Sequence, residues 1–246
     1  MITYYQKKRH IFGDLKIEVF DADNKSLGTI PTGKRRGLNR VRWSMRLPAP
    51  RVPSVASIAG GATVGPRVLP GTYTVKMTKD KNVYTTQLEV VADPRSKHTL
   101  ADRQAQYNLA LKLHKLLGEM TTTVERINST RLALDDRAAK ITGDDALRNR
   151  LQTASAQVND LRKKIVATTE GGAITGEERL REYLATLYGD VIYYEGRPSQ
   201  TQMERAEALA RELSDVTTSF DAWTTKEMSG INSALTKKQV EAIKNP

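Results

Sequence analysis

The stretch VYTTQLEVVADPRSKHTLAD, residues 83–102, decides the fold of this chain because two patterns meet within it. Apolar and polar residues alternate over residues 83–91, which predicts a β-strand. After Asp93-Pro94, Thr99 and Asp102 stand three positions apart, the spacing of a helix-capping box, and a helical repeat follows. We therefore predict an α+β protein of two domains, with the strands first and the helices second.

The net charge of +11 over 246 residues changes at the same boundary. Residues 1–92, the predicted first domain, hold 16 Lys and Arg against 6 Asp and Glu, which gives +10. Residues 93–246, the predicted second domain, hold 23 against 22, which gives +1. An electrostatic function is therefore expected in the first domain.

Composition excludes several classes of protein. The chain has no cysteine, which excludes disulfides, thiolate zinc sites, iron–sulfur clusters and cysteine nucleophiles. No run of 18 apolar residues occurs, so no membrane-spanning segment is predicted. The N-terminal residues lack the apolar core of a signal peptide, and Ile2–Tyr5 already has a strand pattern. We therefore expect a fragment of a longer protein.

Five segments of the first domain alternate as half-buried strands do. They are Ile2–Tyr5, Asp14–Phe20, Leu38–Arg46, Thr72–Thr78 and Val83–Val91. In the third segment, Val41, Trp43 and Met45 are expected on the buried face. Short strands without helices between them favour a small Ig-like β-sandwich. Residues 48–70, rich in Pro, Gly, Ala and Ser, predict a long surface loop.

The second domain has the apolar periodicity of four long amphipathic helices. They are expected to begin at Thr99, Leu147, Thr175 and Ser199. In the second helix apolar residues recur at steps of 4, 3, 4, 3 and 4, as in a helix packed lengthwise on another. The short breaks between the helices favour an antiparallel up-and-down four-helix bundle. Residues 236–243 are either a short fifth helix or a frayed tail.

No motif in the sequence predicts a catalytic, metal or cofactor site. Residues 28–34 fit G-x-x-x-x-G-K, but Arg35 stands where a P-loop needs Ser or Thr, and a strand follows instead of a helix. A basic hairpin turn is the better interpretation. His10, His98 and His114 lack metal-ligand spacing, and His114 lies on an apolar helix stripe, which favours a packing role. We predict no cofactor and no enzymatic activity for this chain.

Basic residues concentrate in two triplets and on one face of the third strand. The candidate residues for binding an anion or a partner are Lys7, Lys8, Arg9, Lys34, Arg35, Arg36, Arg40, Arg42 and Arg46. Such a surface suits an acidic glycan, an acidic protein or nucleic acid. Alternatively, it is only a solvated surface that discourages edge-to-edge strand pairing. Nucleic acid is the less favoured partner, because readers of nucleic acid usually add aromatic platforms and Trp43 is expected in the core.

Six segments, taken in order, carry a resemblance to a known family. They are Ile2–Tyr5, Leu15–Asn24, Gly37–Trp43, Gly65–Val75, Asp93–Arg95 and Asp102–Leu111. Together they resemble the C-terminal region of exported bacterial β-propeller proteins, the sortilin-like proteins with BNR repeats that are often labelled glycosyl hydrolases. The resemblance covers most of the chain and is strongest over residues 1–135. Ser44 departs from it, since an acidic residue is expected after the tryptophan.

The resemblance implies an Ig-like sandwich and a helical tail that follow an upstream β-propeller domain, which this chain lacks. Any glycosidase centre would lie in the propeller, so no catalytic residue is carried over. The matching residues have expected structural roles; they are Gly37, Asn39, Trp43, Pro70, Gly71 and Tyr73. The implied function is a non-catalytic accessory module of a secreted, periplasmic or cell-surface protein, which supports docking to protein or polysaccharide. The alternatives are a basic binding module for acidic glycan or nucleic acid and, less favoured, a fragment of a glycoside hydrolase.

Overall fold

A computed structural model describes residues 1–55, 62–172 and 175–244. Within these residues six strands precede four helices, so the predicted α+β class and the order of its parts are confirmed. The strands are β1 (Ile2–Gln6), β2 (Leu15–Phe20), β3 (Ser26–Ile30), β4 (Gly37–Val41), β5 (Gly71–Lys79) and β6 (Asn82–Val90). The helices are α1 (Leu100–Lys140), α2 (Asp145–Ile165), α3 (Leu180–Tyr193) and α4 (Gln200–Lys237).

The strands form two antiparallel sheets that share one core. β1 pairs with β4, and the other four strands are ordered β3-β2-β5-β6. The core draws buried side chains from both sheets and from the segments beside them; they are Ile17, Val19, Leu27, Ile30, Val41, Trp43, Val68, Tyr73 and Val75. At its centre the rings of Trp43 and Tyr73 meet edge to face, with centroids 5.3 Å apart. Aromatic pairs prefer this geometry because ring edges are positive and ring faces negative.

The predicted hairpin turn over residues 28–34 is wrong in its first half. Ser26–Ile30 is β3, because Leu27 and Ile30 are buried in the core. β3 pairs with β2, whereas β4 pairs with β1 in the other sheet. Residues 31–36 therefore connect two sheets and do not close a hairpin.

The third predicted strand is shorter than the alternation indicates. β4 ends at Val41, and although Trp43 is still buried, Met45 is 44% exposed. Met45 has φ +56°, in the left-handed region that non-glycine residues seldom adopt. This turn of the backbone ends the alternation, so the prediction that Met45 lies on the buried face is wrong. The predicted loop over residues 48–70 falls partly on residues 56–61, which lie outside the described residues.

The chain forms two compact units, and neither is a continuous stretch of sequence. Unit 1 consists of Met1–Ala49, Val64–Leu111 and Ile192–Pro198. Unit 2 consists of Pro50–Thr63, Lys112–Val191 and Ser199–Pro246. The division into domains at residues 92 and 93 stays a prediction. Both sheets and the start of α1 lie in unit 1, and most of the helical region lies in unit 2.

Within unit 2, α1 and α4 run in the same direction. Three side-chain pairs join them in matching order along both helices: Lys112 with Glu207, Thr123 with Thr217, and Arg126 with Asp221. The paired residues advance together, which only parallel helices permit. Among the described residues no helix is both long and apolar enough to cross a membrane.

α2 runs antiparallel to α4. The indole of Trp223 donates a hydrogen bond to Gln157 at 2.9 Å, whereas Arg150, earlier in α2, pairs with Glu227, later in α4. Five of the six predicted seam residues of α2 are buried, and the sixth, Leu161, is half-buried; the five are Leu147, Leu151, Ala154, Val158 and Ile165. The predicted lengthwise packing of this helix agrees with these contacts.

α3 continues along α4 from the point where α2 ends. Lys164, near the end of α2, and Leu180, at the start of α3, line the same small cleft against Val216 of α4. Farther along α3, the ring of Tyr183 lies under the guanidinium of Arg205, 5.3 Å away. α3 therefore also runs antiparallel to α4, and α2 and α3 follow one another along it.

Helix starts agree with the predicted caps in two of three cases. Thr99 and Asp102 exchange hydrogen bonds at the start of α1, and Ser199 and Gln202 form a complete capping box at the start of α4. The predicted start of the third helix at Thr175 is wrong, because α3 begins at Leu180.

Two carboxylates explain the late start of α3. Glu177 turns back to accept the backbone N–H of Thr168 at 2.8 Å, so it does not enter the helix. Glu182 instead accepts the backbone N–H of Arg179 at 2.9 Å and caps α3. Residues 238–243 do not form the alternative fifth helix, and two hydrogen bonds join Ile243 to Asn232 of α4.

Asp102 is expected to stabilise the fold in a pH-dependent manner. Its carboxylate accepts hydrogen bonds from the Thr99 hydroxyl at 2.7 Å and from Arg197 Nε at 2.9 Å, and these lower its pKa to about 2. A carboxyl with a depressed pKa contributes stability above its unfolded pKa, and this is lost as the pH falls from about 4 towards 2.

We therefore expect the carboxyl ¹³C shift of Asp102 to titrate with a midpoint near pH 2. Thr99→Val removes the strongest of the hydrogen bonds and is expected to raise the midpoint more than Arg197→Gln does. A wild-type midpoint near 4, or no change in either variant, would contradict these contacts.

Candidate anion-binding surface

The pairing of β1 with β4 brings the two basic triplets together. Gln6, the last residue of β1, lies opposite Gly37, the first residue of β4. Lys7–Arg9 therefore leave one strand where Lys34–Arg36 enter the other. The backbone N–H of His10 donates to the carbonyl of Lys34 at 3.0 Å, which closes the connection between the two segments.

Buried polar side chains hold this corner in place. Tyr4 Oη and Gln6 Nε2 both donate to the carbonyl of Gly33, at 2.5 and 2.9 Å. Asn39 Nδ2 donates to the carbonyls of Arg35 and Gly37, at 2.9 and 3.1 Å. Burial raises the pKa of Tyr4, so its hydroxyl remains a donor at neutral pH. The backbone that carries the second triplet is thus fixed before any ligand arrives.

Gly33 is required by this arrangement. A Cβ at this position would lie 2.5 Å from Oδ1 of the buried Asn39 and could fit only if that side chain moved. The close approach of backbone and amide therefore accounts for a glycine immediately before the second triplet.

Arg40 and Arg42 extend the basic surface along the outer face of the small sheet. Arg40 lies opposite Thr3, and Leu38 lies opposite Tyr5, all on the face away from the core. Arg42, one residue beyond the end of β4, is exposed as well.

Eight cations form one surface, which we call the basic face. Its members are Lys7, Lys8, Arg9, Lys34, Arg35, Arg36, Arg40 and Arg42, and all are exposed. Within residues 1–55, 62–172 and 175–244, no carboxylate lies within 4.0 Å of any of their charged nitrogens. The sequence from Asn24 to Lys79 contains 11 Lys and Arg but no Asp or Glu. The positive potential of the basic face is therefore not neutralised locally.

Arg46 differs from these eight cations because it is only partly exposed and its guanidinium is engaged; its role in binding an anion or a partner stays a prediction. Its Nη1 donates to the carbonyl of Gly65 at 2.8 Å, and its guanidinium lies over the ring of Tyr193, 5.7 Å from the centroid. The backbone of Arg46 also bridges to Arg67.

Two exposed aromatic residues lie close in sequence to the basic face. Tyr5, on the outer face of β1, is 64% exposed, and Phe12, which follows the first triplet, is 87% exposed. Alternation along β1 identifies Tyr5, since Tyr4 faces the core, whereas nothing in the sequence pattern identifies Phe12. Exposed aromatics beside cations are a feature of surfaces that bind sugar rings or bases.

The histidines are engaged in the packing of the fold. His10 is buried and its Nε2 is 3.1 Å from the carbonyl of Gly13, while half-buried His114 lies beside Tyr188, with ring centroids 6.4 Å apart. In the described part of the chain, no group of three or more His, Cys, Asp or Glu side chains could hold a metal ion.

Comparison of the chain with protein-family models, with curated proteins and with solved structures gave no match. The basic face is consequently the feature from which a function can be inferred.

Proposed function

We propose that this chain is a non-catalytic interaction module whose basic face docks onto an acidic partner, either an acidic polysaccharide or the acidic surface of a protein. One observation supports this above all: eight exposed cations lie on one preformed surface, and no carboxylate of the described residues lies beside them. Keeping like charges together costs free energy in the isolated protein, and an acidic partner removes that cost.

The resemblance to the C-terminal region of sortilin-like, BNR-repeat proteins extends this proposal. In this extended proposal, the chain follows an upstream β-propeller domain within a secreted, periplasmic or cell-surface protein. The resemblance also implies that the two sheets form an Ig-like sandwich. It is supported by the hydroxyl of Tyr73, which donates to the carbonyl of Leu69 at 2.6 Å, as in the tyrosine corner of such domains.

A helical bundle is the corresponding description of unit 2. The parallel direction of α1 and α4 favours a modified form of the four-helix arrangement, in which α2 and α3 lie one after the other along α4. In a simple up-and-down bundle the first and last helices would instead run in opposite directions.

The electrostatic proposal is tested by retention on immobilised heparin, an acidic polysaccharide. We expect the wild-type chain to bind at 50 mM NaCl and to elute as the salt concentration rises, because binding releases counterions from the polymer. A quadruple variant with Lys34, Arg35, Arg40 and Arg42 changed to Gln is expected to bind soluble heparin about 1000-fold more weakly at this salt concentration, since each of the four cations near a polyanion contributes about 1 kcal/mol.

The matched control changes four exposed lysines of unit 2 to Gln: Lys115, Lys140, Lys163 and Lys226. Both variants lose four positive charges, and the control removes them from lysines of unit 2 that already lie beside carboxylates. We expect the control to change affinity by less than about threefold. No retention of the wild type at low salt, or equal losses in both variants, would overturn the proposal, and turnover of a glycoside by this chain would overturn its non-catalytic part.

A second candidate function is nucleic-acid binding, which the exposed rings of Tyr5 and Phe12 favour. Bases stack on aromatic side chains, and each stacked base contributes about 1–3 kcal/mol. If the partner is single-stranded nucleic acid, Tyr5→Ala and Phe12→Ala should weaken binding to an oligonucleotide at least fivefold. For an acidic protein surface these changes should have little effect.

A further inference from the structure

We propose that a cleft in unit 1, beside the end of β6, binds a small organic anion with an apolar body. The cleft has a volume of about 500 Å³, within the range of small-molecule sites. Its lining combines apolar side chains with cationic ones. The apolar ones are Met45, Val68, Pro70, Val90, Val91 and Pro94, and the cationic ones are Arg67, Arg95 and Arg103, with His98 beside them.

The segment that leads from β6 to α1 forms one wall of the cleft and is held in a fixed turn. The carboxylate of Asp93 accepts hydrogen bonds from the backbone N–H of Arg95 at 2.9 Å and from its guanidinium at 3.0 and 2.7 Å. The backbone N–H of Ser96 donates to the carbonyl of Asp93. The wall therefore needs no ligand to set its shape.

Glu195, in the segment between α3 and α4, also lines the cleft, and three contacts fix this segment. Arg67 pairs with Glu195 at 2.5 Å, and the rings of His98 and Tyr194 meet edge to face with centroids 5.3 Å apart. Arg197, just beyond the cleft, pairs with Asp102 at the start of α1. All the residues that line the cleft thus belong to unit 1.

The charges that line the cleft leave one guanidinium without a carboxylate. Asp93 is engaged by Arg95, and Glu195 is engaged by Arg67. Arg103 donates to the neutral amide oxygen of Gln106 at 2.6 Å. Among the described residues no carboxylate lies within 4.0 Å of its guanidinium.

Arg103 and the apolar lining together define the ligand. A guanidinium has five N–H donors, and its fork matches the paired oxygens of a carboxylate or sulfonate. The apolar side chains can cover a hydrophobic body of about two fused rings, which such a volume accommodates. An aryl or alkyl carboxylate or sulfonate fits this combination, whereas a polysaccharide chain would have to lie across the exposed basic face.

The test uses two fluorescent probes that differ in charge. 8-Anilino-1-naphthalenesulfonate carries a sulfonate, and N-phenyl-1-naphthylamine is its neutral counterpart. With the full chain we expect saturable 1:1 binding of the anionic probe by fluorescence and calorimetry, and at least about tenfold weaker binding of the neutral one, since a hydrogen bond to a charged group is the stronger kind.

Arg103→Gln is expected to weaken binding of the anionic probe about tenfold and to leave binding of the neutral probe unchanged. Val91→Glu places a carboxylate in the apolar lining and should also weaken binding of the anionic probe. Because Val91 is 70% exposed, this variant is expected to fold. Lys81→Gln, at an exposed cation of the turn between β5 and β6, is the control and should change neither affinity.

Three results would overturn the proposal. They are equal affinity for both probes, unchanged anionic-probe affinity in both Arg103→Gln and Val91→Glu, and loss of probe binding in the quadruple variant of the basic face. The last result would place the probe on the basic face. Conversely, if heparin binding fails while the cleft variants behave as expected, the cleft stands and the proposed docking function does not.

Discussion

Replacing Trp43 by alanine is expected to lower the free energy of unfolding by about 3–5 kcal/mol. The side chain is only 9% exposed and meets Tyr73 in the core that both sheets share. Its removal forfeits the burial of a large ring and leaves a cavity that the sheet backbones cannot fully close. Urea unfolding followed by far-ultraviolet circular dichroism measures the change.

Trp223→Ala is the matched control, because these are the two tryptophans of the chain. Trp223 is half-buried, and its main polar contact is the hydrogen bond from its indole to Gln157 at 2.9 Å. We expect a loss of about 1 kcal/mol, of the size of one hydrogen bond and some packing. If the two substitutions cost the same, Trp43 does not lie at the centre of the core.

Replacing Phe220 by alanine is the corresponding expectation for unit 2, again about 3–5 kcal/mol. The side chain of Phe220 is fully buried, the ring of Trp223 is stacked beside it at 6.5 Å, and the guanidinium of Arg126 lies 5.2 Å from its centroid. The substitution therefore removes core packing and a cation–π contact that helps to hold α1 against α4.

Phe12→Ala is the control for this experiment. It makes the same chemical change at a side chain that is 87% exposed, so the expected change in stability is within about 0.5 kcal/mol. A thermal melt of each variant gives the comparison. A Phe220 variant as stable as the Phe12 variant would mean that α4 does not pack as described.

The sequence predicts strands from apolar alternation, and in β2 and β5 alternate residues do face the core. β3 escaped prediction because its register shifts: Val19 pairs with Gly28, but Phe20 pairs with Ser26. The extra residue is Leu27, so Leu27 and Ile30, three positions apart, both reach the core. A bulge of this kind breaks the period of two on which strand prediction depends.

The helices were predicted from apolar periodicity, but their directions could not be. Short breaks favour alternation, yet the break before α3 is long enough for Glu177 to fold back and for α3 to continue along α4. Direction is fixed by pairs such as Arg126 and Asp221, which lie 95 positions apart in sequence. Contacts between residues so far apart in sequence do not appear in the apolar periodicity of either helix.

The same limitation applies to the basic face. The sequence contains both triplets and the two arginines, but their adjacency depends on the register of β1 and β4, which joins Gln6 to Gly37. The exposure of Met45 has a local cause, since its unusual φ cannot be foreseen from alternation. The cleft was not predicted at all, because its lining comes from four separate segments.

Because the chain alternates between the two compact units, a single gene segment cannot encode either unit alone. The backbone passes between the two compact units five times, and the 41 residues of α1 belong partly to each. A gene segment that ended at residue 93 would carry the sheets without Leu100–Leu111 and Ile192–Pro198, which complete unit 1. Recombination at one junction therefore cannot transfer either unit whole, and the pair should spread among larger proteins only as a single block.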